Sequence, residues 1–411
     1  MNPTRPDDNS LFSPERQALP PPAAEEQAHS DKLVRHIVEE ITASGGKISF
    51  ARFMELALYA PGLGYYVAGK YKFGAQGDFV TAPELGSLFA RCLAHQCQTI
   101  LKNMDSGDVQ GRTSAAGDRM SEAADILEVG AGSGVLAADL LLALEAADAL
   151  PERYFILELS ADLCERQAEM LLQKAPHLVD RVHWLDALPD SFRGIVLANE
   201  LLDATPVERF RVTESGINQI HVAWEDGRFV WQEQPIEAAI QLPTLPVGYV
   251  SEINLHAEAW VRSLGDILTQ GVILLIDYGF PRAEFYHPQR SQGTLMCHYR
   301  HRAHDDPLLL VGLQDITAHV DFTAMAEAGT DAGLSLLGYT SQAAFLLGNN
   351  LDQIVAASDP NDVRAHLALT QQVKKLTLPH EMGELFKVMA LGRGIKEPLR
   401  GFSIQDRRGR L

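Results

Sequence analysis

The sequence predicts an α/β protein built on a doubly wound, mostly parallel sheet, and three observations lead there. Short apolar runs at Asp125–Val129, Tyr154–Leu159, Val182–Leu185, Gly194–Leu197 and Gly271–Asp277 have the length and texture of buried parallel strands. Helical patterns separate them: Val135, Leu136, Leu140 and Leu141 follow the first, and Ala161–Lys174 follows the second. The first strand also runs into its helix through Glu128, Gly130, Gly132 and Gly134, an E-x-G-x-G-x-G turn. Alternating glycines let the chain turn tightly and let a ligand approach the backbone near the positive end of the helix dipole.

The remaining elements follow in order. Residues 1–30 are Pro-rich and polar and are expected to form a disordered tail. Residues 31–123 read as an N-terminal helical cap region. Asp31–Thr42 carries Leu33, Val34, Ile37, Val38 and Ile41 at helical spacing, and Phe50–Tyr59 forms a second helix stopped by Pro61-Gly62. A glycine- and aromatic-rich loop leads to a third helix with Pro83 near its first turn. Residues 103–123 are polar and low in bulk, a surface insertion. Residues 124–411 are expected to hold the main domain, with insertions at about 207–250 and 280–320. In the first, polar and apolar residues alternate around an Asp226-Gly227 hairpin turn. The second is His-, Tyr- and Arg-rich, too long for an ordinary connection, and so a candidate lid. The tail after Pro360 reads as mostly helical, with Leu385, Val388 and Met389 on one face.

The chain has 411 residues, 46% of them hydrophobic, enough for a full core. Its 35 Lys+Arg against 54 Asp+Glu give a formal charge of −19, which argues against nucleic acid and is compatible with a cationic substrate. Acidity that only aids solubility is the plainer alternative. No run of 18 apolar residues is present, so no spanning helix is expected. Cys92, Cys97, Cys164 and Cys297 form no C-x-x-C and no zinc-like spacing, so no metal site is assigned. Acidic residues in the first thirty positions argue against a transit peptide, and a cytoplasmic bacterial protein is expected; a eukaryotic member would sit in the mitochondrial matrix.

Two ligand classes suit the glycine turn. Dinucleotides use G-x-G-x-x-G, whereas here the glycines are each two apart, which disfavours an NAD-dependent oxidoreductase. Glu158, ending the second strand, can accept both hydroxyl protons of a ribose, which indicates a nucleoside cofactor without choosing one. Asp186 ends the third strand as a cofactor contact or a helix cap. Asn199-Glu200-Leu201-Leu202-Asp203-Ala204-Thr205-Pro206 closes the fourth, where open α/β sheets bind ligands. Its alternative is a polar strand end with capping acids. His319 and Asp321 are candidates to accept a proton, with His298 behind them. Tyr65, Tyr66 and Phe79 could pack on an adenine or a sulfonium, or simply within the loop.

The glycine turn resembles motif I of the class I S-adenosylmethionine (SAM)-dependent methyltransferases. Together with GDFVTAPELG, NELLDATP, SEINLHAEAW, IDYGF and GLQDITAHVDF it resembles the MidA family, over roughly residues 31 to 400. The resemblance implies a Rossmann-like methyltransferase sheet and SAM as cofactor. It assigns Glu128, Gly130, Gly132, Gly134, Glu158, Asp186 and Asn199 to cofactor binding, with Glu128 at the amino-acid part and Asp186 at the adenine amino group. Its mitochondrial member is a protein arginine methyltransferase that modifies a subunit of respiratory complex I and is needed for its assembly. The implied activity is therefore methyl transfer to a partner protein, through an arginine held by Glu200 and Asp203. The usual protein arginine methyltransferases clamp the guanidinium with two glutamates in a separate hairpin. No such hairpin is found here, so Glu200 with Asp203, or with Glu252, would substitute. A second function class is a non-catalytic assembly factor that keeps the cofactor fold and only binds a partner.

Overall fold

The computed structural model describes residues 19–68, 81–106, 124–236 and 242–411. Phe79, most of the 103–123 insertion and the first eighteen residues lie outside them.

The core is one sheet whose seven main strands we number in chain order. They are β1 (Asp125–Val129), β2 (Tyr154–Leu157), β3 (Val182–Leu185), β4 (Phe192–Asn199), β5 (Leu268–Phe280), β6 (Ser335–Ser341) and β7 (Phe386–Arg393). Their spatial order is β6-β7-β5-β4-β1-β2-β3, and a short strand at Val320–Asp321 adds to the end of β5. β1 to β5 pair in parallel; β7 is antiparallel to both neighbours. β1, at the centre, is buried at every position. Ile195, Val196 and Leu197 of β4 and Val272 to Ile276 of β5 are essentially inaccessible on both faces. Each such side chain contributes roughly 1.5–3 kcal/mol over an exposed one, so these continuous apolar runs fix the sheet centre. The helices Leu88–Ser106 and Val135–Ala146 cover one face; Leu255–Ile267 and Phe322–Asp331 cover the other. The fold is therefore the α/β methyltransferase arrangement expected, and the strand order reverses between β1 and β4. That reversal opens a crevice at the carboxyl ends of the strands.

Two smaller sheets accompany the core sheet. The first joins Lys47–Ser49, Gly216–Glu225, Glu208–Thr213 and Val250–Ile253, with Arg228–Pro235 paired to Gly216–Glu225. Its hairpin turns at Asp226 and Gly227, both at positive φ. The second is a three-stranded sheet of Met296–Tyr299, Arg302–His304 and Asp315–Thr317. It occupies the segment read as a candidate lid and forms a wall of the crevice.

Three element assignments need correction. The first helix spans Ala24–Ala43, not Asp31–Thr42. Glu26 accounts for the early start: it accepts from the Ala23 amide at 2.8 Å and pairs with Arg300 at 2.8 Å, while Ser30 donates to the Val311 carbonyl. The helix expected from Pro83 is two elements. Ala82–Leu85 is a single 3-10 turn, Gly86 at φ 139° breaks it, and the long helix starts at Leu88. The C-terminal tail leaves its α-helices at Leu385 and enters β7, where Val388 and Met389 lie on opposite faces, both fully buried. A short apolar run has no period that separates strand from helix, and here the partner strands β5 and β6 decide.

Candidate active site

A cavity of about 740 Å³ opens at the carboxyl ends of β1 to β5. Its first wall is the glycine turn. Gly130, Gly132 and Gly134 have φ of 69°, 54° and 81°, a left-handed path that costs other residues roughly 1–2 kcal/mol each. A Cβ on Gly130 would sit 2.8 Å from Leu201, and one on Gly134 would sit 2.9 Å from the Gln167 backbone. Gln167 braces the turn: its amide donates to the Gly132 carbonyl at 3.1 Å and to Glu158 at 3.2 Å, and it accepts from the Trp184 indole at 2.9 Å. Glu158 also accepts from the Ser160 amide at 2.9 Å, so its carboxylate is fixed beside the end of β2. Glu128 is 3% exposed and accepts from the Tyr154 hydroxyl at 2.7 Å; burial pushes its carboxyl up to about 7. Asp186 follows β3 and lines the same cavity.

The second wall lies beyond β4 and β5. Glu200 sits at φ 52°, its carboxylate accepting from the Ala82 amide at 3.2 Å and the Asn199 amide at 3.4 Å. Burial, then the nearby Asp203, pushes its carboxyl up to about 8. Asp203 is buried and takes a hydrogen bond from the Tyr278 hydroxyl; burial raises its carboxyl and that hydrogen bond opposes the rise. Asp277 is the anchor beneath. Its two oxygens accept from the amides of Leu202, Asp203 and Tyr278 at 2.8, 3.2 and 2.8 Å. Opposite stand Tyr59 and Tyr66, stacked at 5.5 Å, with the Tyr66 hydroxyl donating to Asp315 at 2.9 Å. His319 is held edge-on between Tyr278 and Phe280, and burial lowers it to about 4, so it is neutral at physiological pH. Seven carboxyl-bearing residues line the cavity, and among the described residues no lysine or arginine does.

A family model described as "Putative S-adenosyl-L-methionine-dependent methyltransferase" matches residues 92–340. The chain belongs to this methyltransferase family. The crystal structure of a Burkholderia thailandensis protein bound to S-adenosyl-homocysteine is similar with a TM-score of 0.89 and 44% identity, covering 96% of this chain and 100% of that one. The mitochondrial protein arginine methyltransferase NDUFAF7 of Danio rerio is 29% identical over 391 residues, 87% of this chain and 86% of its own length. The human protein of the same name is 27% identical, covering 87% and 83%.

The cofactor of the methyltransferase family is SAM, and this site fits it. The cavity volume lies within the roughly 300–1,000 Å³ usual for small-ligand sites. The glycine turn presents backbone without side chains. Asn199 Oδ1, Asp203 Oδ1 and His319 Nδ1 are buried and find no hydrogen-bond partner within the described protein, as expected of groups that serve a ligand.

Of the sequence-derived candidates, Glu128, Gly130, Gly132, Glu158, Asp186, Asn199, Glu200, Asp203 and His319 all line this one cavity. Gly134 stands behind it, at the start of the helix Val135–Ala146. Asp321 is elsewhere: it caps the helix Phe322–Asp331 by accepting from Thr323 and Ala324, and it pairs with Arg282 at 3.0 Å. Glu252 is also elsewhere, accepting from Thr294 at 2.8 Å, so of the two partners considered for Glu200 only Asp203 shares its cavity. Asp203 caps no helix; it lies in a turn before the strand Glu208–Thr213. Tyr66 lines the cavity whereas Tyr65 does not. Sequence reasoning passed over Glu84, Tyr59, Asp277, Tyr278 and Asp315. Asp277 and Tyr278 lie within IDYGF, and Asp315 within GLQDITAHVDF, so the motifs contained them, but nothing in their spacing marked those side chains.

Proposed function

We propose that the protein transfers methyl groups to arginine side chains of a partner protein. The observation that carries this reading is the acidic acceptor wall, where Glu200, Asp203 and Asp315 face one cavity that no lysine or arginine lines among the described residues. A planar guanidinium can donate to several carboxylate oxygens at once, and stacked tyrosines give it a face to lie against. The mitochondrial relatives named as protein arginine methyltransferases support the same reading.

Bound SAM supplies a methyl group already activated on a sulfonium, so the protein's own task is mainly alignment. Glu200 and Asp203 orient the acceptor and favour a localised lone pair on one guanidinium nitrogen. Asp277 fixes the backbone that carries them. In the ligand-free site, burial keeps Glu200 largely protonated below about pH 8. An entering guanidinium favours the ionised carboxylates, so acceptor binding is coupled to proton loss. Neutral His319, with its free Nδ1, is placed to accept the proton that the acceptor must lose. Glu158 and Asp186 would hold the nucleoside part.

The test is transfer of radiolabelled methyl from SAM into a lysate of cells lacking this protein. A labelled polypeptide is the expected result, and the MidA resemblance makes a respiratory complex I subunit the first acceptor to examine. A purified enzyme that binds SAM but labels nothing would place the protein instead among non-catalytic assembly factors.

A further inference from the structure

We propose that Glu84, on the single 3-10 turn Ala82–Leu85, holds the α-ammonium of bound SAM and makes that turn a strap across the cofactor. The strap is tied at both ends. The Ala82 amide donates to Glu200 at 3.2 Å, and the Ser133 hydroxyl donates to Glu84 Oε1. Ser133 in turn accepts from the Val135 amide at 3.4 Å, in the first turn of the helix Val135–Ala146. The Glu84 carboxylate therefore rests against the glycine turn at the electropositive end of that helix, where an anion is stabilised. Glu84, Pro83 and Thr81 line the same cavity as Gly132 and Ser133.

The charge pattern assigns the partner. The amino-acid arm of SAM carries an ammonium and a carboxylate. Glu128, the acid that family resemblance gives to this arm, is nearly inaccessible and has one oxygen committed to Tyr154. Glu84 is half-buried, and only its Oε1 is engaged among the described residues. It can offer Oε2 to the ammonium while Ser133 holds Oε1. Because the same strap donates to Glu200, seating of the cofactor arm also sets the position of a carboxylate on the acceptor wall. This role of Glu84 is toward the cofactor and is the same whichever acceptor is used.

The experiment is calorimetric binding of S-adenosyl-homocysteine and two analogues of it, one with the amino group replaced by hydrogen and one with the carboxylate replaced by hydrogen. Wild type should bind the amine-lacking analogue roughly 10- to 100-fold more weakly than S-adenosyl-homocysteine, the loss of one charge-assisted hydrogen bond. Glu84→Gln should weaken S-adenosyl-homocysteine and the carboxylate-lacking analogue by a similar factor and leave the amine-lacking analogue unchanged. Glu84→Asp should recover part of the loss. Equal weakening of all three ligands by Glu84→Gln would mean that the residue only shapes the strap, and would overturn the proposal. Should neither variant fold, the wild-type comparison decides: equal affinity for S-adenosyl-homocysteine and its amine-lacking analogue leaves no role for an ammonium partner.

Discussion

Replacing Glu200 by glutamine separates the chemistry of the acceptor wall from its architecture. The amide is nearly isosteric and can keep accepting the Ala82 amide at 3.2 Å, so the strap contact survives. What is lost is a charge in a cluster with Asp203 and Asp315. Removing one partner of a desolvated, hydrogen-bonded ion pair costs about 2–5 kcal/mol, which corresponds to roughly 30- to 4,000-fold in methyl transfer at saturating SAM. S-adenosyl-homocysteine affinity should stay within about threefold of wild type. The pH dependence adds a signature. In wild type the folded-state carboxyl titrates near 8 instead of its ordinary 4.5, so transfer should fall as pH drops through that region, less steeply once acceptor is bound. Stability moves the opposite way. Between about pH 4.5 and 8 the folded state binds more protons than the unfolded state, so ligand-free wild type loses stability as pH rises through that window. The glutamine variant should show a shallower decline, with a residual slope from Glu128, Asp203 and Asp277, whose carboxyls burial also raises. Single-turnover transfer to the acceptor identified from the lysate and melting curves from pH 5 to 9 read both effects. Full activity with an unchanged pH profile would refute the carboxylate clamp, whereas loss of activity with parallel loss of cofactor binding would move Glu200 to the cofactor side.

Other substitutions divide the site further. Gly132→Val places a β-branched side chain at φ 54° beside the cofactor, and calorimetry should find SAM binding abolished in a folded protein; unchanged affinity would contradict the turn's role. Glu158→Ala should weaken SAM by about 1–3 kcal/mol with little change in rate once cofactor saturates, and a normal Kd with slow turnover would give the residue another task. Asp203→Asn should lose less transfer than Glu200→Gln, since the amide can still accept the Tyr278 hydroxyl; a larger loss would make Asp203 the principal carboxylate. Asp277→Asn cannot accept all three amides of Leu202, Asp203 and Tyr278, so the melting temperature should fall by an amount equivalent to about 2–4 kcal/mol and transfer should fall with it. A normal melting temperature would show that the turn holds itself.

The parts of the fold that were legible in the sequence are those fixed by local pattern. The apolar runs of β1, β4 and β5 read as buried strands because they are short and alternate with helical patterns, and the glycine alternation after β1 reads as a tight strand-to-helix turn. β7 reads as helix in the sequence because Leu385, Val388 and Met389 suit one helical face, and only pairing with β5 and β6, far away in the chain, distinguishes strand from helix. β6 went unread for the same reason: its partner is β7. The glycine-turn side of the cavity was legible because Glu128, Gly130, Gly132, Glu158, Asp186 and Asn199 lie at strand ends within one short stretch of the chain. The opposite wall of the cavity was only half visible, since it is assembled from Tyr59 and Tyr66 near the N-terminus, Tyr278 on β5, and Asp315 and His319 from the three-stranded sheet and the segment after it. Asp321 followed the same motif as His319 but sits two residues further on, where the chain has already turned to start a helix that needs its cap.

Whether the acidic wall receives a guanidinium is decided by the chemistry of the product. The polypeptide labelled by the purified protein and radiolabelled SAM would be hydrolysed to amino acids, and the labelled residue identified by chromatography against methylated standards. Label is expected on ω-nitrogens of arginine and is lost in Glu200→Gln. Label on lysine, or on a carboxyl group as a base-labile ester, would contradict it while leaving the protein a methyltransferase.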